Sequence, residues 1–307
     1  MTPTKQISFG LKTTPVHTSY DDIVRVWQEA DGISLIRDAW LWDHMLPLFG
    51  PPSGPIYEAW TLLAALAAQT RRLRIGLLVS SNRVRPPAVL AKMAVTTDVI
   101  SRGRLVVGIG VGGTHQPPGA GGIAGDNPAI AEYAAYGLTL VSPGEGVGRL
   151  DEACTIMKRM WTEDVFDFDG KYYQLSHVRC EPKPVQRPGP PILIGGWGDK
   201  TLRVVAERAD IWNVPGPPHH DADFIRERMQ VLDAHCREIG RDPAEIERSV
   251  QTHVSYNDPG HTRAVIRELI DVGITHFALN LILPFPDGVA KWAAEEIISP
   301  VLAELDD

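Results

Sequence analysis

Short runs of consecutive apolar residues alternate along almost the whole chain with longer stretches in which apolar residues recur every three or four positions. The short runs predict strands at 7–11 (ISFGL), 34–40 (SLIRDAW), 73–79 (LRIGLLV) and 104–110 (RLVVGIG). Four more follow at 191–195 (PILIG), 210–214 (DIWNV), 248–254 (RSVQTHV) and 276–282 (HFALNLI). The intervening stretches 58–69, 87–100, 149–161, 200–209, 223–239, 262–272 and 289–305 read as helices. Ile225, Met229, Leu232, Cys236 and Ile239 fall on one face of a 3.6-residue period, as do Leu150, Cys154, Met157 and Trp161. Pro86-Pro87 suit a helix's first turn and Gly273 suits its C-cap.

Strands that are apolar throughout and alternate with helices are parallel strands covered on both faces. Eight of them close a (β/α)8 barrel, with an open doubly wound sheet as the alternative. The length of 307 residues suits one such domain spanning 1–307. One stretch breaks the rhythm. Residues 112–131, after the fourth strand, hold six glycines and three prolines and are expected to be irregular. So long an irregular segment reads as an active-site lid, or else as a disordered surface insertion.

The charge balance excludes some classes. Against 30 lysines and arginines stand 38 acidic residues, a net charge of −8, which argues against nucleic acid and against an anionic membrane surface as partners. Three scattered cysteines give neither a disulfide frame nor a zinc knuckle, and Cys154 and Cys236 fall on apolar helix faces. The N-terminus lacks the apolar run of a signal peptide, and no stretch reaches the roughly 18 apolar residues of a membrane span. A cytoplasmic protein is expected. The first strand has no His-x-His, so no metal is assigned, and there is neither a GxSxG elbow nor a cysteine nucleophile signature.

Unusual residues cluster just after the strands. Asp43-His44 follow the second, Ser80, Ser81, Asn82 and Arg83 the third, and Gly110, Gly112 and Gly113 the fourth. Gly195-Gly196-Trp197-Gly198 follow the fifth and Asn213 closes the sixth. In a parallel barrel these ends form one rim, where active sites are assembled. Glycines let amides approach a ligand, and the helix that begins near Lys200 adds free N–H groups and a positive dipole end, so the Gly195–Gly198 turn suits a phosphate. A tight turn that glycine merely permits is the other reading. Gly108–Gly113 satisfies G-x-G-x-x-G, but no helix pattern follows, and a dinucleotide site is rejected. The Asp43-His44 pair suits proton transfer, although adjacent residues on extended chain point opposite ways. Trp42, Trp197 and Trp212 lie near strand ends, placed either to flank a planar ring or simply to pack.

Read together, "LWDHM", "TRRLRIGLLVSSNRVRPPAVLAKMAVTTDVISRGRLVVGIGVG", "EYAAYG", "GRLDEACTIMKRMWTEDVFDFDGKYYQL" and "PKPVQRPGPPILIGGWGDKTLRVVAERADIWNV" resemble the luciferase-like monooxygenase superfamily of flavin- and deazaflavin-dependent oxidoreductases. The run R-x-P-A-V-L-A-K-M and the GG-x-G-x-x-T-L turn look closest to members that use coenzyme F420. The resemblance implies a barrel with the cofactor ring at its C-terminal rim. It makes His44 the active-site histidine with Asp43 beside it, and places a bulge with a non-prolyl cis peptide at Leu78, Val79 and Ser80, followed by Ser81 and Asn82. It assigns Gly110 and Gly112 to close approach, and Gly195, Gly196, Trp197 and Gly198 to the cofactor phosphate, with Lys200 or an arginine near Arg83 as candidate countercharge. A homodimer is implied too. The expected activity is hydride transfer between F420 and a small organic substrate; the alternatives are an FMN-dependent monooxygenase and a non-catalytic flavin- or deazaflavin-binding protein. Two departures stand out. Gly113 replaces the glutamate that the family's deazaflavin sugar-phosphate dehydrogenases use as proton donor, and Gly144-Glu145-Gly146 replaces a common G-E-R.

Overall fold

In the computed structural model, which describes residues 6–113, 128–216, 219 and 221–306, the alternation of the sequence becomes a closed barrel. Its strands are β1 (Ser8–Lys12), β2 (Ile36–Leu41), β3 (Arg74–Leu77) with its continuation β4 (Ser80–Ser81), and β5 (Leu105–Gly110). After a two-stranded antiparallel hairpin, β6 (Phe166–Asp169) and β7 (Gln174–Val178), come β8 (Ile192–Gly195), β9 (Ile211–Val214), β10 (Glu247–His253) and β11 (His276–Asn280). The barrel strands pair in the order β3-β2-β1-β11-β10-β9-β8-β5-β4, all parallel, and β3 pairing with β5 closes the ring. Counting β3 and β4 as one interrupted strand, all eight predicted strands are present.

The helices are α1 (Tyr20–Asp31), α2 (Ala59–Gln69), α3 (Pro87–Ser101), α4 (Pro128–Ala135), α5 (Pro143–Thr162), α6 (Asp199–Arg208), α7 (Ala222–Glu238), α8 (Pro259–Val272), α9 (Val289–Trp292) and α10 (Ser299–Asp306). Several differ from the expectation. Helix α1 was not predicted, although Ile23, Val26, Trp27 and Ala30 are its buried face and Ser19 caps it by accepting from the Asp22 amide. Helix α5 starts six residues before 149, because Pro143 and the Ser142 cap open it ahead of glycines that obscure the pattern. Gly148 is required there, since a Cβ would lie 2.6 Å from the Tyr172 ring. The predicted helix 289–305 is divided by a π-helical turn, Ala293–Ile298. Helix α4 corrects the reading of 112–131 as wholly irregular: its last four residues are helical, while 114–127 lie outside the described residues.

Side chains alternate across the barrel wall. On β5, Leu105, Val107 and Ile109 join the large core beneath the helices. Val106 points inward with Trp40, Leu193, Ile211 and Ala278 into a small apolar layer filling the barrel. Below that layer, Asp38 gathers Arg37 (2.8 Å), Arg74 (3.2 Å) and His276 (2.9 Å). Burial works to raise the Asp38 pKa, but His276 and the two guanidiniums outweigh it and hold the carboxyl well below its ordinary range. The N-terminal end is thereby plugged by charge pairs and the middle by apolar side chains, which leaves the C-terminal end open.

Candidate active site

The open end holds a cavity of about 550 Å³. Between β3 and β4 the Leu78–Val79 peptide is cis, and the bulge lays Leu78 and Val79 along the cavity wall. The flanking glycines are there because larger residues would collide. A Cβ on Gly108 would lie 1.8 Å from the Leu77 carbonyl oxygen, one on Gly110 2.8 Å from Val79 Cγ2, and one on Gly195 3.0 Å from Val79 Cγ1. The G-x-G-x-x-G lookalike thus serves close packing around the bulge, leaving a smooth ledge.

The Gly195–Gly198 turn forms the opposite wall. Gly196 has φ +140°, a conformation that side-chain-bearing residues rarely adopt. Its carbonyl accepts from Trp212 Nε1 at 2.7 Å, and its N–H donates to the Asn213 carbonyl at 3.2 Å. Trp212 is fully buried among the outer core and secures the turn rather than flanking a ligand. Trp197 does line the cavity and stacks on His219, ring centroids 4.0 Å apart. Gly198 is the N-cap of α6 and offers no side-chain cap, so the first-turn amides, with the positive end of the helix dipole, have no side-chain partner among the described residues. Asp199 in that turn lies 3.2 Å from His235 Nε2. Lys200 is exposed, and Arg83 donates to the Thr139 carbonyl at 3.1 Å.

Asp43 and His44 turn opposite ways. His44 faces the cavity, with its ring 5.2 Å from that of Trp42. Asp43 is buried behind it, where Arg85 grips both carboxylate oxygens at 2.6 and 3.1 Å and also reaches Glu58, the N-cap of α2. Burial is the largest influence on Asp43 and pushes its pKa up against the pull of Arg85. Ser80, Ser81 and Asn82 also lie outside the cavity lining. The Ser80 hydroxyl accepts from Trp60 Nε1 at 2.7 Å, Ser81 meets the Tyr133 hydroxyl at 2.5 Å, and the buried Asn82 side-chain carboxamide has no partner among the described residues. His44, Leu78, Val79, Gly110 and Gly112 are therefore brought together with Gly195, Gly196, Trp197 and Gly198, while Asp43 and the Ser80–Asn82 segment support them from behind.

Two residues that sequence reasoning left without a role come from α4. Glu132 Oε2 is 2.6 Å from His44 Nδ1, and its other oxygen accepts from the Met45 amide at 2.5 Å. Tyr133 accepts from the Gly113 amide at 2.7 Å besides meeting Ser81. A carboxylate on Nδ1 makes that nitrogen the donor and leaves Nε2 as the nitrogen for a bound molecule. The signal was the Glu-Tyr pair inside "EYAAYG", whose register on a helix was not visible.

Lys12 was missed at the end of the first strand. Its Nζ donates to Gln251 Oε1 at 2.6 Å, and Gln251 in turn donates to Asn213 at 2.9 Å. Burial pushes the amine down from 10.5 to about 8. Because the folded chain disfavours the ammonium, the penalty is fully present below pH 8 and vanishes as pH rises towards 10.5. Lys12→Met should therefore raise the melting temperature of the ligand-free protein at pH 7, by the equivalent of about 2 kcal/mol after the lost hydrogen bond. At pH 10 the gain should shrink. Thermal melts at both pH values check this.

Residues 4–294 match the family model described as luciferase-like monooxygenase. An uncharacterized protein of Mycobacterium tuberculosis is 31% identical over 234 residues, covering 76% of this chain and 71% of the relative. A phthiodiolone/phenolphthiodiolone dimycocerosates ketoreductase of a Mycobacterium species is 28% identical over 261 residues, with 78% of this chain and 62% of that one covered. Among solved structures, an F420-dependent secondary alcohol dehydrogenase in complex with an F420-acetone adduct superimposes with a TM-score of 0.81 at 16% identity, covering 97% of this chain and 99% of the other. No described helix is long and apolar enough to cross a membrane.

Proposed function

The chain belongs to the luciferase-like monooxygenase family, and on that premise we propose that it is a coenzyme F420-dependent oxidoreductase that passes a hydride between the deazaflavin and a small organic substrate. The observation that carries the proposal is the juxtaposition, in one cavity, of a flat glycine-and-valine ledge, an uncapped helix N-terminus and a carboxylate-oriented histidine. The ketoreductase name of a 28% identical relative supports alcohol–carbonyl interconversion, while structures of the same fold include both an F420-dependent alcohol dehydrogenase and monooxygenases. The residues fit such a cofactor: Leu78, Val79, Gly110 and Gly195 would flank a planar ring, and the α6 amides would hold a phosphate. The chemistry the group supplies when bound is hydride donation or acceptance at the deazaflavin C5.

The chain's own residues supply the rest. Glu132 fixes the tautomer and orientation of His44 by engaging Nδ1, as a carboxylate does for a catalytic imidazole. His44 Nε2 then delivers or receives the proton that accompanies hydride transfer at a carbonyl or alcohol oxygen. Trp42 and Leu78 line the cavity beside that position. A homodimer belongs to the same proposal, and sedimentation would measure it.

Titrating the purified protein with F420 and with FMN, while following each absorption spectrum, tests the cofactor. Saturable F420 binding is expected; sub-micromolar FMN binding with no F420 binding would replace this reading by the FMN-dependent monooxygenase. F420 binding without turnover of any alcohol or ketone would favour a carrier. Gly196→Val would strain a φ of +140°, so the phosphate assignment is better tested at Gly198. There φ is −66° and an added Cβ meets only Thr201 Oγ1, at 3.8 Å. Gly198→Val should lower the melting temperature only slightly, valine being the poorer N-cap, and weaken F420 binding by roughly 10- to 100-fold by crowding the phosphate. Unchanged affinity would remove the phosphate from α6.

A further inference from the structure

The cavity continues past His44. A second lobe of about 610 Å³ opens there, sharing Trp42, His44, Leu78, Pro215 and Gln251 with the first. Much of its wall is apolar, from Leu48, Phe49, Leu281, Ile282 and Leu283. Its polar lining is Thr14, His44, Gln251, His253, Asn280 and Lys12, the lysine standing where β1 ends and β11 pairs with it at Asn280.

A cation at the wall of an apolar pocket needs a countercharge. The usual one is a neighbouring carboxylate, because an ammonium taken out of water without one is costly. Among the described residues no aspartate or glutamate lines either lobe, and no carboxylate lies within ion-pair distance of Lys12. It donates to the neutral Gln251 side chain, which Asn213 holds in place from the other side. Two buried acids of the barrel are engaged elsewhere: Asp38 by arginines and His276, and Glu132 by His44. Lys12 is thus a positioned cation whose countercharge the described chain does not provide, in an apolar lobe that opens onto His44.

We infer that this lobe is the substrate's half of the site, that the substrate is an apolar molecule carrying a single carboxylate, and that Lys12 selects it by pairing with that carboxylate. The inference rests on the proposed function in taking His44 as the place where chemistry occurs. Its apolar body would lie against Phe49 and Leu281, with the reacting carbon towards His44 and the carboxylate at Lys12 Nζ. Lys12 is a specificity-determining residue in this assignment and takes no part in proton transfer.

The test is binding, read by tryptophan fluorescence since Trp42 forms the wall common to both lobes. Straight-chain carboxylates from hexanoate to decanoate, and the matching primary alcohols, are titrated into the wild-type chain and into Lys12→Met and Lys12→Arg, with and without F420. The wild type should bind the carboxylates about tenfold or more tightly than the alcohols. Lys12→Met should weaken the carboxylates by roughly 10- to 100-fold and leave the alcohols within about twofold, and Lys12→Arg should restore part of the difference. A merely structural Lys12 would move both series together, and that result overturns the inference. So does the absence of saturable carboxylate binding to the wild type, or a loss in Lys12→Met that falls on F420 instead. If the wild type discriminates carboxylates yet fails to bind F420, only the cofactor assignment falls. If it binds F420 without discriminating, only this inference does.

Discussion

Replacing His44 by alanine should lower turnover by roughly 10²- to 10⁴-fold while leaving F420 affinity within about threefold. The two numbers separate because the residues placed to hold the cofactor, the Val79 ledge and the α6 amides, are on other strands and other loops. His44 contributes a proton at one atom, and that contribution exists only as charge develops on the substrate oxygen. Glu132→Gln should cost less and should change the pH profile of turnover, because an amide can hold Nδ1 in either tautomer where a carboxylate accepts only. Single-turnover rates and spectral titration of both variants measure this. A His44→Ala protein that keeps turnover within about tenfold of wild type would remove the histidine from the chemistry.

The second large effect is on stability. Arg85→Ala should destabilise the protein by about 3–5 kcal/mol, the loss typical of removing one partner of a buried ion pair. Asp43 is buried, its side chain fully so, and Arg85 holds both of its oxygens while reaching Glu58 at the start of α2. Without the guanidinium the carboxylate has no cation to offset its desolvation. Asp43 already titrates above its usual range because of burial, so the native state takes up a proton there more readily than the unfolded chain. Losing Arg85 widens that gap. Stability then falls as pH rises through the raised pKa, and the deficit relative to wild type should be larger at pH 7 than at pH 5. Asp43→Asn combined with Arg85→Met should recover a good part of the loss. Urea denaturation at the two pH values measures each term; a deficit below about 1 kcal/mol at pH 7 would mean that solvent compensates Asp43.

Local pattern was sufficient for most of the architecture. Apolar runs such as PILIG and DIWNV are strands in place to within a few residues, since a strand buried on both faces has to be apolar throughout. Ser80, His44 and Gly195 could be assigned to one rim without knowing any contact, because each follows its strand in the same direction. Glycine by itself was ambiguous. Gly108 and Gly110 permit packing against the bulge, Gly196 permits a backbone angle, and Gly198 leaves amides uncapped, yet all look alike in sequence. The overlooked helix α1 had a legible pattern, whereas the start of α5 was hidden by glycines that favour neither state.

What the sequence by itself determined is therefore the barrel and the rim on which chemistry would gather, because alternation, capping and turn chemistry act over a few residues; the bulge and the role of His44 came from the family resemblance. What the tertiary structure decided is which groups act together. Closure of the ring brings Lys12 to Gln251 across 239 positions and packs α4 so that Glu132 reaches His44 across 88. It also turns Asp43 away from the cavity onto Arg85, 42 positions along. Such pairings depend on the shear and stagger of eight strands, and no local propensity encodes them.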